Sequence, residues 1–303
     1  MWPTSDHPSE RLQHWFPQRR LSDWTPLPAA FADSSHQVWL YDDGQTRDVV
    51  KLMACEPCAA EGFWGGMKAL FAVTLPQQLA QFERLYPRVA QASELAIPLV
   101  KRLLRVTTVG NDLADHSLTL GVQTDFLPGL AVSPQHITEP MVRTLARHLA
   151  ALHQAPVTLA EREALQQTFL PGLANWLTSL VGGGVSASEV AGLQQQVASV
   201  GELGALGLIM PDLRWDQFLQ QDGRLTGLTD LDAIVAGPVA FEWVLLELLL
   251  TAKAFDVLCD EYQKWAPIPS VTDVREVYRA ALFGMNVLGG TNYQAWQNRP
   301  LRL

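Results

Sequence analysis

Apolar and aromatic residues come in short runs over residues 1–130, a pattern that is typical of β-strands. Residues 36–41 (HQVWLY) and 48–53 (DVVKLM) lie on either side of an Asp42-Asp43-Gly44 turn, which predicts a β-hairpin. Two more apolar runs, at 97–108 and 118–126, predict further strands. We therefore expect the first part of the chain to be rich in strands.

The rest of the chain has the periodicity of amphipathic helices. In residues 140–155, Leu145, Leu149 and Leu152 recur on one helical face, and Pro156 ends the pattern. Other helices are expected at 76–92, on both sides of 182–184 within 160–205, and after 238. Residues 208–232 interrupt this helical part with one small β element, whose turn is Asp222-Gly223.

Composition and charge narrow the classes of protein to which the chain can belong. Of its 303 residues, 48% are hydrophobic and 17% are charged, which is ordinary for a globular protein and excludes general disorder. The net charge is -9, so we expect no nucleic-acid partner, because such proteins carry a basic face. The longest apolar run, 244–250, is too short for a membrane span, and the first residues lack a signal-peptide pattern. We therefore expect a cytoplasmic protein with no membrane partner.

A few polar residues stand out as candidates for chemistry. Asp212 precedes Gln217 by five residues, and a second acid, Asp230, follows the small hairpin. Phosphoryl transfer needs one carboxylate to orient or deprotonate the attacking hydroxyl, and a second carboxylate with an amide oxygen to hold magnesium. It also needs a lysine for the nucleotide phosphates, and Lys51 lies in an apolar strand. Each of these residues, taken alone, is more typical of an exposed surface position than of a site.

The order of these segments resembles the aminoglycoside phosphotransferase and choline kinase family, small-molecule kinases with a protein-kinase-like fold. Pro211-Asp212 and Gln217 lie where the family has Gly-Asp and Asn, and 224–232 (RLTGLTDLD) resembles its hairpin and metal-binding segment. Other segments resemble the family's nucleotide-lysine strand (49–51), hinge (124–129), first long helix of the C-lobe (145–156) and the segment after the metal site (237–243). The resemblance covers residues 25–285.

The resemblance implies an α+β class and a two-lobed protein-kinase-like fold. Its divisions would be an N-terminal arm at 1–24, a small β-sheet N-lobe at 25–127 and a larger helical C-lobe at 128–303. It also implies that ATP binds between the lobes, that Lys51 contacts the phosphates and that Glu83 braces this lysine.

The hinge implied by the resemblance places Thr124 and Phe126 at the nucleotide. On the C-lobe side it implies that Asp212 is the catalytic residue and that Gln217 and Asp230 hold Mg²⁺. The function implied is ATP-dependent phosphoryl transfer to a hydroxyl of a small molecule.

The chain departs from the family pattern at positions where the family carries its catalytic and phosphate-binding residues. The family's catalytic-loop His is Met210, its Gly is Pro211, its Asn is Gln217, and the first loop, 29–36, has no glycine. Two readings therefore stay open: an active kinase that takes a small hydroxylated substrate, and a degenerate pseudokinase that binds a nucleotide or a protein partner.

One insertion, 54–78, separates Lys51 from Glu83 and is expected near the nucleotide. It contains Cys55 and Cys58, for which we favour two reduced thiols over a zinc or redox site, because matching ligands and a βαβ context are absent.

Overall fold

The structure is a computed structural model that describes residues 8–28, 34–54, 61–109, 115–290 and 292–303. The helices are α1 (Pro8–Trp15), α2 (Gly62–Phe71), α3 (Leu75–Ala80), α4 (Phe82–Ala92), α5 (Glu139–Gln154), α6 (Leu159–Thr178), α7 (Ala187–Ser199), α8 (Val239–Leu249), α9 (Ala252–Tyr262), α10 (Arg275–Gly284) and α11 (Tyr293–Gln297). The strands are β1 (Trp24–Leu27), β2 (His36–Asp42), β3 (Arg47–Met53), β4 (Val100–Val109), β5 (Asp115–Asp125), β6 (Leu130–Ala131), β7 (Leu206–Ile209), β8 (Phe218–Gln221), β9 (Arg224–Leu228) and β10 (Val235–Pro238). Short 3-10 turns lie at Leu21–Asp23, Pro134–His136 and Trp215–Gln217.

The chain divides into two compact units. Unit 1 consists of Met1–Pro57, Leu75–Arg88 and Ile97–Pro128. Unit 2 consists of Cys58–Thr74, Val89–Ala96 and Gly129–Leu303. The predicted α+β class is confirmed, with a small antiparallel sheet in the N-terminal part and a helical C-terminal part.

Unit 1 is built on a five-stranded antiparallel sheet with the strand order β1-β2-β3-β5-β4. The predicted hairpin is present and consists of β2 and β3. Its turn is closed by the Asp43 carboxylate, which accepts hydrogen bonds from the backbone N–H groups of Gln45 and Thr46. In β3, buried Val50 and Leu52 alternate with half-buried Lys51, so the lysine occupies the opposite face of the strand.

The N-terminal segment from Pro8 onward packs against this sheet. Leu12 and Phe16 share one hydrophobic cluster with Trp24, Tyr41, Val50, Leu52 and Leu104. Beside it, Asp48 is fully buried and accepts hydrogen bonds from Arg19, Lys101 and Gln123 at 2.5–2.7 Å. The segment that we expected as an arm thus contributes to the core of unit 1.

Helices dominate unit 2, and their ends follow from local sequence. The side chains of Thr138, Thr158 and Ser186 cap the N-termini of α5, α6 and α7, and the latter two form capping boxes with Glu161 and Glu189. The predicted helices at 140–155 and on both sides of 182–184 are therefore confirmed. The predicted helix at 76–92 is two helices, because α3 ends at Ala80 and α4 begins at Phe82.

The described part of the 54–78 insertion supplies helix α2 to the core of unit 2. Trp64, Met67, Leu70 and Phe71 are buried, and the Phe71 ring contacts Phe169 and Phe241 with centroids 5.5 and 5.8 Å apart. Cys55 and Cys58 lie outside the described residues. Within the described ranges, no helix is long and apolar enough to cross a membrane.

Candidate active site

The segment between β7 and β8 of unit 2 forms a loop, residues 210–217, that carries the first candidate acid. Strand β7 pairs with β10, and the chain turns directly after it, where the Leu213 N–H donates to the Met210 carbonyl at 3.0 Å. The loop ends in the 3-10 turn Trp215–Gln217, from which the β8–β9 hairpin begins. Asp212 lies at the middle of this loop, and its side chain is 18% exposed.

Gln217 holds the loop closed from within. Its Nε2 donates to the backbone carbonyl of Asp212 at 2.6 Å, and its Oε1 accepts from the Arg214 N–H at 3.1 Å. The residue is only 4% exposed, so the amide is packed into the loop. A carbonyl oxygen has two lone pairs, so Oε1 keeps one for a further partner.

The segment with the second acid is attached to the same loop. Thr229 donates from its N–H and from its hydroxyl to the Gln217 carbonyl, at 2.9 and 3.1 Å. Asp230 is therefore next to a residue that is bonded to the loop, and Asp230 raises the pKa of Asp212 through charge repulsion. Asp212 and Gln217, which precede the β8–β9 hairpin, are thus brought together with Asp230, which follows it.

The electrostatics of Asp212 combine burial with opposing charges. Burial raises the pKa of its carboxyl to about 7, an effect that Arg214 opposes and that Asp230 and Asp216 reinforce. The Arg214 guanidinium donates from NH1 to both Asp212 oxygens, at 2.6 and 2.5 Å, and its Nε pairs with Asp216 at 3.2 Å. A carboxyl with such a pKa is suited to exchanging a proton near neutral pH.

A buried hydrogen-bond chain supports the start of the loop, where the sequence had suggested a weakness. The Met210 N–H donates to Oε1 of Glu242 at 2.7 Å, and Oε2 of Glu242 bonds Nε2 of His153. Nδ1 of His153 in turn lies 2.8 Å from the Tyr262 hydroxyl. Both ring nitrogens of His153 therefore have a hydrogen-bond partner. Met210 is therefore held through its backbone N–H, by the side chain of Glu242.

The sequence assigned no functional role to His153 or to Glu242. The 237–243 segment was matched to the family pattern, but nothing in the local sequence indicates that a carboxylate in α8 meets the N–H of a residue 32 positions earlier. A glutamate within an apolar stretch is the sequence signal that could have pointed to this contact. Such an acid is buried when the stretch packs into the core, and a buried charge needs a partner.

The candidates expected at the nucleotide lie in unit 1. Lys51 is in β3, opposite Val38 of β2 and Val122 of β5. Thr124 is buried at the end of β5, and Phe126 follows, with the Arg47 guanidinium 3.9 Å from its ring centroid.

The glutamate expected to brace the lysine is in helix α4. The Glu83 side chain is 56% exposed, and its carboxylate accepts from Arg105 at 3.2 Å. The pairing of Glu83 with Lys51, and the nucleotide roles of Thr124 and Phe126, stay predictions.

The residues present fit a magnesium ion in their donor chemistry. Asp230 offers a carboxylate and Gln217 the second lone pair of an amide oxygen, and hard oxygen ligands are what Mg²⁺ takes. Mg²⁺ commonly has few protein ligands and keeps waters or phosphate oxygens for the rest. Accordingly, among the residues that the structure describes, no group of three or more His, Cys, Asp or Glu is arranged to hold a metal.

Known proteins were compared with this chain by sequence and by structure. No protein-family model matches, and no curated protein matches its sequence significantly. Solved structures match over nearly the whole chain. A macrolide 2′-phosphotransferase from Brachybacterium faecium is similar with a TM-score of 0.60 and 16% identity, covering 96% of this chain and 98% of that one.

Two further solved structures show the same architecture. An ethanolamine kinase from Plasmodium vivax is similar with a TM-score of 0.54 and 10% identity, covering 94% of this chain and 84% of the other. An aminoglycoside 2′-phosphotransferase in complex with GDP is similar with a TM-score of 0.57 and 14% identity, covering 92% and 88%. The chain has the fold of these small-molecule kinases, so the predicted fold resemblance is confirmed.

Proposed function

We propose that this protein is a nucleotide-dependent phosphotransferase that acts on a hydroxyl of a small molecule. The observation that carries the proposal is the closed loop of unit 2, in which Gln217 and Thr229 hold Asp212 close to Asp230, in a chain with a kinase-like fold. Two carboxylates in one partly buried site suit a reaction that needs one base and one metal ligand.

Asp212 is the proposed catalytic residue. Its carboxyl is largely removed from solvent, and its pKa is raised to about 7, so it can take the proton of an attacking hydroxyl and release it near neutral pH. The Glu242–His153 chain supports this role, because it fixes the backbone two residues before Asp212.

Asp230 and Gln217 are proposed to hold Mg²⁺. The ion would neutralise charge on the phosphates during transfer. In unit 1, Lys51 is proposed to pair with the nucleotide phosphates, braced by Glu83, and Thr124 and Phe126 to contact the base. ATP is the nucleotide that we expect. GTP belongs in the same assay, because a related structure contains GDP.

The substrate is proposed to be a small hydroxylated molecule. The neighbours named above are a macrolide phosphotransferase, an aminoglycoside phosphotransferase and an ethanolamine kinase. The net charge of -9 favours a neutral or cationic acceptor over an anionic one.

The test is nucleotide consumption with Mg²⁺ over a panel of such alcohols and amino alcohols, comparing wild type with Asp212→Asn. Loss of a general base lowers rates by about 10² to 10⁴, so we expect at least a 100-fold fall in kcat. The matched control is Asp222→Asn, which removes the same charge from the exposed turn of the adjacent hairpin. Its backbone has a φ of 50°, which asparagine tolerates, so its kcat should equal that of wild type. Only a few-fold loss in Asp212→Asn would contradict the assigned role.

A second candidate function, a pseudokinase that serves as a binding module, is favoured by one observation. The Asp212 carboxylate is bound on both oxygens by Arg214, and Gln217 Oε1 is bonded to a backbone N–H.

Thermal shift separates the two functions. A ligand at 100 times its Kd stabilises by about 2.7 kcal/mol, which is a rise of several degrees in Tm. An ATP shift that grows with Mg²⁺ and is lost in Asp230→Ala supports the kinase. Absence of any shift supports the pseudokinase.

A further inference from the structure

Arg214 is the basic residue around which the acids of the 210–217 loop are arranged. Its NH1 lies 2.6 and 2.5 Å from the two oxygens of Asp212, and its Nε lies 3.2 Å from Asp216. Its backbone N–H also donates to Gln217 Oε1. One residue thus contacts the proposed base, a neighbouring acid and one proposed metal ligand.

Arg214 brings a positive charge into contact with this group of acids. Asp212, Asp216 and Asp230 all act electrostatically on the guanidinium, whose side chain is only 19% exposed. Loss of the guanidinium would remove one positive charge from beside Asp212 and Asp216, in a loop where both carboxylates are only partly exposed.

We propose that Arg214 is a positioning residue that serves as the resting counter-ion of this acid cluster. Its planar guanidinium holds the Asp212 carboxylate from Nη1 and the Asp216 carboxylate from Nε, and its positive charge opposes the binding of a divalent cation at nearby Asp230. Arginine suits this task because its rigid fork presents donors to two carboxylates at once, whereas lysine supplies only a point charge. The orientation part rests on the proposed function, whereas the part about cation binding needs no turnover.

The first test measures Mg²⁺ alone, without nucleotide. The concentration of MgCl₂ that gives half of the maximal Tm shift is compared for wild type, Arg214→Gln and Arg214→Lys, and checked by calorimetric titration. Loss of one positive charge beside the proposed Mg²⁺ ligands is expected to lower this concentration about tenfold in Arg214→Gln, equivalent to about 1.4 kcal/mol. Arg214→Lys keeps the charge and should stay within about twofold of wild type.

Two control variants keep the test decisive. Arg224→Gln removes the same charge from an exposed position at the start of β9 and should leave the Mg²⁺ dependence unchanged. Asp216→Asn removes a carboxylate and should raise the Mg²⁺ concentration required, the opposite of Arg214→Gln. This prediction stands even if Arg214→Gln fails to fold. An unchanged or higher requirement in Arg214→Gln, or a lower one in Asp216→Asn, overturns the proposal.

The orientation part is read from turnover. Arg214→Lys should lower kcat about tenfold with little change in KM, because the charge stays and the fork is lost. A kcat equal to wild type would overturn that part. If wild type itself shows no turnover with any nucleotide, the proposed function fails, and the Mg²⁺ measurements still decide the role of the Arg214 charge.

Discussion

The contact between α2 and α6 in unit 2 predicts opposite effects on stability for the same glycine-to-alanine change at two positions. Gly172 lies in α6, and a Cβ atom built there would be 1.9 Å from the backbone oxygen of Ala69 in α2 and 2.9 Å from its carbonyl carbon. Contacts under about 3 Å do not occur for real Cβ atoms. In Gly172→Ala, the two helices must therefore move apart by about 1 Å.

The cost follows from what α2 buries. Helix propensity alone would favour alanine by about 1 kcal/mol. Forced overpacking costs about 1–3 kcal/mol, and the shift also loosens contacts of Met67, Leu70 and Phe71, each worth about 1.5–3 kcal/mol when fully buried. We expect a net destabilisation of about 3 kcal/mol, or a fall in Tm of about 6–12 °C.

The matched control is Gly192→Ala in α7. That glycine is exposed, and its added Cβ would meet nothing within 4 Å, so the same change should stabilise by about 1 kcal/mol. Both variants are measured by thermal unfolding and far-UV circular dichroism, with urea unfolding as a second probe. A rise in the Tm of Gly172→Ala similar to that of Gly192→Ala would refute the close packing of α2 on α6.

Two more predictions concern buried or paired acids of unit 2. Glu242→Ala removes the acceptor of the buried Met210 N–H and of a second donor, so urea unfolding should show a loss of about 3–5 kcal/mol, and kcat should fall in any fraction that stays folded. A loss below 1 kcal/mol would show that the loop does not depend on this carboxylate. Hydrogen bonds from Lys264 and Arg143 lower the pKa of Glu261 to about 2, against 4.5 ordinarily. Because the pKa of Glu261 is lower in the folded protein, its ionised carboxylate stabilises the fold. This contribution is complete above about pH 5 and is lost as pH falls towards 2. The difference in unfolding free energy between wild type and Glu261→Gln should shrink over this range, and a pH-independent difference would contradict the ion-pair assignment.

Several elements could be predicted from the sequence because their causes are local. The Asp42-Asp43-Gly44 turn is closed by a side chain that bonds residues two and three positions later, and Asp222-Gly223 adopts positive φ values in the β8–β9 turn. Thr138 caps α5 three residues from its partner. The order of Asp212, Gln217 and Asp230 also carried the resemblance to kinases, because the 210–217 loop and the hairpin after it are continuous in sequence.

The tertiary structure decided the features whose partners are distant along the chain. The place of α2 in unit 2 depends on contacts with Gly172 and Phe241, more than 100 residues away, and no local pattern encodes them. The support of Met210 by Glu242 was missed for the same reason, because the sequence shows only that the family's histidine is absent, and not that a carboxylate 32 residues later accepts from the Met210 N–H. Arg214 shows a third case. The sequence places it two residues from Asp212, but side-chain rotamers in a buried loop determine whether its charge meets solvent or the candidate base. Sequence alone thus determined the local elements and the candidate chemistry, whereas long-range packing determined how the loop is held and which charges face one another.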